Sequence, residues 1–365
     1  MMNVHFFPSK RIAFYMAKLF VLRSLAVLAA LVIVLQTLDL LGESGKILAV
    51  PGNGDADLWR YVSLRIPQLI SRFLPFSVLL GTLITLATLN QNSEVVSMKA
   101  AGISAHQIIA PLILASVGIA ALTFLFQERI VTRATAELNS WSKADYARLP
   151  PKSGILNDVW VRQGDDIVLA RRVQGRGAAT RLSGVTVYER GDGTLQTIIN
   201  AKSGAPVSGG WELRDVETFT VDSGTTARAD RVVLPHSAEA DQFTLARVDA
   251  GEMDFMTLKK AIADLQIAGR PTGPLEAGLW HKLSGPLSAV LMPLLAGIAA
   301  FGLARSGQLF LRAVTGMALG FAYFVVDNFA LAMGNFGAYP PLLAAWAPFF
   351  LFLLIGEAVL VRTEE

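Results

Sequence analysis

Leu89-Asn90-Gln91-Asn92-Ser93-Glu94-Val95-Val96-Ser97-Met98-Lys99-Ala100-Ala101-Gly102 is a short polar stretch set between two long apolar ones. From Phe73 to Leu89, and again from Ala100 to Phe126, the chain carries no charged residue. Each run reaches the length of a helix that crosses a bilayer. The polar stretch between them is then a tight turn at one membrane face, carrying a short helix. Glu94 suits the first turn of that helix, where the macrodipole favours an acidic group. Ala100-Ala101-Gly102 lets another backbone come close. An amphipathic helix across the end of a helical hairpin is a handle for a soluble partner.

Composition agrees. Hydrophobic residues make up 53% of the chain and charged residues 17%, with a mean hydropathy of +0.47. That is too apolar and too sparsely charged for a protein that is globular and soluble throughout. The net charge of +3 reflects basic flanks rather than a nucleic-acid surface, since no basic cluster with interleaved aromatics occurs. With no cysteine, disulfides, thiol catalysis and thiolate metal sites are excluded.

Six spans follow from hydropathy: Ser24 to Leu41, Ile66 to Leu89, Ile103 to Phe126, Leu283 to Ala304, Ala313 to Ala338 and Leu342 to Val361. The apolar run after Lys10, Arg11, Lys18 and Arg23 lacks a small-residue cleavage site, so the first span reads as a retained anchor. Lys10, Arg11, Lys18, Lys99, Arg305, Arg312 and Arg362 all fall on one side, which places both termini in the cytoplasm. On the other side lies a loop from about Gly42 to Arg65, where Lys46, Arg60 and Arg65 are balanced by Glu43, Asp55 and Asp57.

Between the third and fourth spans the composition changes. Val159-Trp160-Val161, Ile167 to Ala170, Val185 to Tyr188, Leu195 to Ile199 and Arg231 to Leu234 are short, rich in β-branched residues, and separated by glycine-containing turns. The pattern is that of an antiparallel sandwich or barrel on the non-cytoplasmic side. The organisation expected is 1–140 for the first three spans, with the hairpin helix at about 92–102; 141–255 for the β-domain; 256–274 for a linker with a short helix near Leu258 to Gln266; and 275–365 for the last three spans.

Enzymatic readings are weak. Gly42-Glu43-Ser44-Gly45-Lys46 resembles the tail of a phosphate-binding loop, but Ile47 stands where a magnesium-binding Ser or Thr is required. His5, His106, His236 and His281 are too scattered for a helical zinc pair. No metal site, bound cofactor or catalytic residue of the chain's own is expected.

The stretch Asn92 to Ile103 resembles the coupling helix of the lipopolysaccharide-export ABC permeases, the LptF/LptG family, leaning to its LptG branch. Asp158-Val159-Trp160-Val161-Arg162-Gln163-Gly164, Trp280-His281-Lys282 through Pro286-Leu287-Ser288, and Gly316 through Asp327 match in order downstream. The resemblance implies an α-helical membrane protein of six transmembrane helices with an inserted all-β, periplasmic, jellyroll-like domain. It implies an inner-membrane subunit that pairs with the sister permease, LptF, on a dimeric cytoplasmic ATPase, LptB, which supplies ATP and Mg. Lipopolysaccharide would pass toward periplasmic LptC/LptA-type β-jellyroll proteins. The sister subunit itself, or a non-transporting membrane scaffold with a periplasmic β-domain, are the alternatives.

In that role Glu94 pairs with a basic residue of the ATPase, while Val95, Met98, Ala101 and Gly102 complete the contact. Asp327, deep in the fifth span, matches a family aspartate; it either pairs with a basic group in the cavity or makes an interhelical hydrogen bond. Arg72, at the outer end of the second span, meets a lipid phosphate or snorkels to the headgroups, and Arg65 lies nearer the headgroup level. Glu357 reads as an interface residue. The basic residues that family members carry at the outer end of the first helix correspond here to Gln36, Gly42 and Glu43. Lys46, Arg60, Arg65 and Arg72 are the candidates to replace them.

Overall fold

The computed structural model describes residues 9–147, 156–163, 165–175, 179–191, 194–207, 210–235, 249–267, 270–301 and 309–362. They form two compact units. One comprises 1–147, 250–259 and 273–365, the other 148–249 and 260–272.

The first unit is helical. Helix α1 (Lys10–Leu48) starts at Ser9, whose Oγ accepts the Ile12 N–H at 3.4 Å. Met16, Phe20, Ser24, Leu28, Val32 and Gln36 are buried along it at an interval of four residues. That stripe lies against α2 (Asp55–Gln91), as ridges four residues apart do. The two backbones come close at Gly81, where a Cβ would stand 2.2 Å from Ser24 Oγ. Small residues of this kind permit helix contact where lipid supplies no hydrophobic drive.

The loop expected from Gly42 to Arg65 is mostly helix. Only Ala49 to Gly54 intervenes between α1 and α2. The physical reason is local: Asp57 Oδ2 accepts the Gly54 N–H at 3.0 Å, and Asp55 and Asp57 both sit in the first turn of α2, where its dipole favours acid. Gly42 to Lys46 is the last stretch of α1, and Lys46 pairs with Glu43 at 2.9 Å.

A short helix, α3 (Glu94–Ala100), joins α2 to α4 (Ala105–Phe126). Ser104 Oγ accepts the Gln107 N–H at 3.2 Å and Gln107 Oε1 accepts the Ser104 N–H at 3.1 Å, a reciprocal cap for α4. A π-helical turn (Gln127–Val131) carries α4 into α5 (Thr132–Lys143). After the second unit, α6 spans Phe255–Ile267, longer than the helix expected from sequence. Helices α7 (Gly273–Phe301), α8 (Leu309–Asn335) and α9 (Pro341–Arg362) complete the chain.

Among the described residues, five helical segments are long and apolar enough to cross a membrane: Lys10–Leu48, Asp55–Gln91, Ala105–Lys143, Val314–Asn335 and Pro341–Arg362. The predicted span Leu283 to Ala304 falls on α7. Its end at Ala304, and Arg305, lie outside the described residues. Helix α7 packs on α2, α4, α8 and α9.

The second unit holds one six-stranded antiparallel sheet of sequential order, β1 (Leu156–Gln163), β2 (Asp166–Gln174), β3 (Arg181–Gly191), β4 (Thr194–Val207), β5 (Gly210–Thr220) and β6 (Thr225–Pro235). This corrects the jellyroll expectation for the described strands: each pairs with its sequence neighbour, so they form an up-and-down meander without the crossover a jellyroll needs. Short turns fix that pairing. One face is apolar, with Val161, Ala170, Val187, Ile199 and Leu213 at most 6% exposed. Leu213→Ala would cost about 2–5 kcal/mol by loss of contacts and the cavity left behind.

Alternation along these strands slips by one residue at a single line across the sheet. Buried residues stand three apart at Ala170 and Val173, Leu182 and Val185, Ala201 and Gly204, and Leu213 and Val216. The ladder pairs flank but omit Asp158, Arg171, Gly184, Lys202, Asp215 and Asp230, one per strand. Asp158, Gly184 and Asp215, on alternate strands, have φ of 51°, 63° and 53°. Because every strand inserts one residue at the same line, the register survives while the inward phase resets.

Candidate functional site

Two places carry chemistry in the helical unit: the α2–α3–α4 hairpin and a cavity among α2, α4, α7 and α8.

At the hairpin, Ser93 turns the chain into α3 with φ of 60°. The helix ends in paired backbone bonds: Gly102 N–H donates to Lys99 O at 2.9 Å and Ile103 N–H to Met98 O at 3.0 Å. This terminus requires a left-handed residue, and Gly102 supplies it with φ of 82°. Met98 and Ile103, which bracket the motif, both pack against the main core cluster.

Val95 is buried in that cluster. The sequence reading put Val95 and Met98 on an outward apolar face, and the structure turns both inward. The two residues between them are exposed, and the apolar one, Val96, is 61% exposed, on the same short helix as the exposed Lys99 and Ala100. A three-residue interval from Val95 to Met98 marks one face of the helix but does not say whether it is the inner or the outer one. Glu94 is half-buried; its Oε1 lies 3.4 Å from Tyr15 Oη and 3.3 Å from Asn92 Nδ2. These long bonds hold the carboxylate near α1 and leave it acceptor capacity for another donor.

The cavity has a volume of about 550 Å³. One wall is apolar, including Phe73, Phe76, Met292 and Phe324; the polar lining includes Arg72, Gln68, His281, Asp327 and Asn328. Arg72 is exposed, lines the cavity and makes no hydrogen bond or ion pair among the described residues. Asp327 Oδ2 is 3.1 Å from His281 Nε2, so it makes an interhelical contact from α8 to α7. Of the two readings left open for Asp327, the structure realises a hydrogen bond that becomes an ion pair when His281 is protonated. His281 stood in the sequence as one of four scattered histidines and within the Trp280-His281-Lys282 match, with no role given to it. Its partner lies 46 residues away.

Arg65 is placed differently. Its Nε and Nη2 donate to Asp39 Oδ2 and Oδ1 at 2.9 and 3.0 Å, and its Nη1 donates to Gln68 Oε1 at 2.8 Å. Tyr61 Oη donates to the same Asp39 at 2.5 Å. Arg60 pairs with Glu137 at 2.8 Å and lies over the Trp141 ring at 4.7 Å. Of the four basic residues considered as substitutes, three are therefore engaged within the chain. Arg72 alone faces the cavity. Glu357 lies 3.6 Å from His106 of α4.

Nearly the whole chain is similar to known proteins. The family described as Lipopolysaccharide export system permease LptF/LptG matches residues 14–362. The Lipopolysaccharide export system permease protein LptG of Escherichia coli (strain K12) is 25% identical over 352 residues, 94% of each chain. That of Haemophilus influenzae (strain ATCC 51907 / DSM 11121 / KW20 / Rd) is 26% identical over 322 residues, 86% of this chain and 89% of its own.

Proposed function

This chain belongs to the LptF/LptG family of lipopolysaccharide export permeases, and from that premise we propose that it is the LptG-type subunit of an ATP-driven exporter. It sits in the inner membrane with six spans and both termini in the cytoplasm, and its β-sheet unit in the periplasm. Helix α7 is the sixth span, enclosed by the other helices.

The observation that carries the reading is the unbroken family match over residues 14–362, which takes in both the hairpin and the cavity. The LptG relatives favour that branch over the sister subunit. The α3 hairpin docks a dimeric ATPase through Val96, Lys99 and Ala100, and Glu94 accepts a hydrogen bond from a basic residue there. ATP and Mg belong to that partner. Closure of the ATPase dimer moves α3, and α2 and α4 move with it because Val95 and Met98 are locked into their core. Apolar cavity walls take acyl chains, and Arg72 meets a lipid phosphate. The extracted amphiphile passes to the β-unit and to periplasmic β-jellyroll proteins.

Purification of the chain with its partners from a membrane extract tests this. Co-purification of an ABC-type ATPase and a second permease of the LptF branch is expected. Glu94→Lys should insert normally, lose the ATPase and abolish export. Recovery of the chain without an ATPase would return the scaffold reading, and recovery with an LptG-branch partner would reverse the subunit assignment.

A further inference from the structure

Three polar groups meet within the helical unit, beside the cavity, whose lining includes their neighbours Gln127 and His281, and away from the hairpin. Glu128, in the π-helical turn, receives Lys282 Nζ of α7 on Oε1 at 3.2 Å. Its Oε2 accepts the backbone N–H of Phe255, the first residue of α6. The Lys282 side chain is 5% exposed and that of Glu128 14%. Burying such a pair gains less than apolar side chains of the same volume would, while fixing direction in a way they do not. A π turn inserts one residue into a helix and re-aims the side chains it carries, and such turns concentrate at functional positions.

The Phe255 N–H is singled out by its surroundings. Asp254 caps α6, its Oδ1 accepting the Thr257 N–H at 2.9 Å and its Oδ2 the Thr257 hydroxyl at 2.7 Å. That cap leaves the first N–H of the helix unserved, and Glu128 serves it. Just upstream, Glu252 accepts from Asn139 Nδ2 at 2.8 Å and pairs with Lys143 at 3.7 Å, both on α5. Ala250 lies against Gly278 of α7, where an added Cβ would come within 2.5 Å. Residues 250–255, by which the chain returns from β6 to the helices, are therefore held to α5, to α7 and to the π turn.

We propose that Glu128 is a positioning residue that clamps this return segment to α4 and α7, so that displacement of those helices during transport is passed to the chain that carries the β-sheet. The inference rests on the exporter reading. The carboxylate is suited to the task because it serves two donors at once, an ammonium on α7 and a backbone N–H on the return segment. An asparagine or a serine in its place would be too short or would carry no charge to hold Lys282.

Phe255→Pro isolates the clamp. The first position of a helix tolerates proline, so this variant deletes the N–H and leaves the Glu128–Lys282 pair intact, while Phe255→Ala controls for the lost ring. Both are made in the full complex, with three readouts: ATP hydrolysis, lipopolysaccharide captured by a photoreactive group at Phe324, and lipopolysaccharide captured by one on the β-sheet. Phe255→Pro should leave the first two near those of Phe255→Ala and lower capture on the sheet about tenfold, the size of a typical coupling between sites. Exchanging the pair, Glu128→Lys with Lys282→Glu, should restore assembly but not capture on the sheet, because a lysine at 128 accepts nothing from Phe255. Equal capture for Phe255→Pro and Phe255→Ala, or full rescue by the exchanged pair, would overturn the clamp. Amide exchange at 256–258 reads the clamp without cargo: unchanged protection in both Phe255→Pro and Glu128→Gln also overturns it. A wild-type complex that binds no lipopolysaccharide sinks the exporter reading instead.

Discussion

Arg65 and Asp39 meet through two parallel hydrogen bonds, Nε to Oδ2 at 2.9 Å and Nη2 to Oδ1 at 3.0 Å, and join α2 to α1. A guanidinium spent in this way has little left for a phosphate, whereas Arg72, two turns further along α2, faces the cavity. Arg72→Ala should therefore weaken lipopolysaccharide capture about tenfold, the loss of one charge-assisted contact of about 1.4 kcal/mol. Arg65→Ala should leave capture nearly intact and instead lower the thermal stability of the solubilised protein by about 1 kcal/mol, since both side chains keep partial access to water. Site-specific photocrosslinking together with a melting curve separates the two. Equal losses of capture would mean that the Asp39 contact opens during transport.

The inward turn of α3 reverses what two adjacent valines should do. Val95 is buried, so Val95→Ala should cost about 2 kcal/mol of stability from lost burial and packing. Val96 is exposed, so Val96→Asp should leave stability unchanged while removing the ATPase from the purified complex. Thermal unfolding and the recovered ATPase content give both answers. Loss of the ATPase in Val95→Ala at unchanged stability would restore the outward reading.

Much of this arrangement was legible in the chain. Charge-free runs marked the second and third spans because lipid contact demands apolarity, whereas Gly102, read for the room it gives another backbone, ends α3 through its φ of 82°. What was not legible depends on contacts distant in sequence. Glu128 and Lys282 are 154 residues apart, and nothing in the local sequence of either points to the other. Strand β5 was missed because Glu212, Arg214, Asp215 and Glu217 line its outer face and the one-residue phase slip breaks the period of two. Alternation identifies a strand only while its phase holds.

Glu212 gives the sheet a pH dependence of known sign. Its carboxylate accepts from Arg231 Nη2, and from Arg214 Nε at 2.9 Å. Those hydrogen bonds, Arg231 first, hold the carboxyl below its ordinary range. A group lowered in the folded state contributes stability that is complete above its unfolded value and is lost as pH falls through the folded one. Amide protection of β5 and β6 in the full chain should thus be constant from neutral pH to about 5 and decline below about 4, where free glutamates protonate. Glu212→Gln should flatten that decline between β5 and β6. A wild-type profile that is flat to pH 3 would show the two arginines to be interchangeable with water.

The line of inserted residues across the sheet makes opposite demands on Gly184 and Asp215. At Gly184 φ is 63°, and a Cβ would stand 3.1 Å from the Arg171 side chain. Gly184→Val combines a left-handed backbone with a β-branched residue and a crowded neighbour, and should destabilise the sheet by about 2 kcal/mol. Asp215 occupies the equivalent line position with φ of 53°, and its ion pair with Lys202 at 3.5 Å is exposed. That pair is worth little. Asp215→Gly should be neutral or stabilising by up to about 1 kcal/mol, because glycine reaches the left-handed region without a Cβ penalty while the unfolded chain gains freedom in return. Denaturant titration followed by amide exchange of β3 and β5 measures both. If Gly184→Val is tolerated while Asp215→Gly is costly, the inserted line is held by side-chain contacts rather than by backbone conformation.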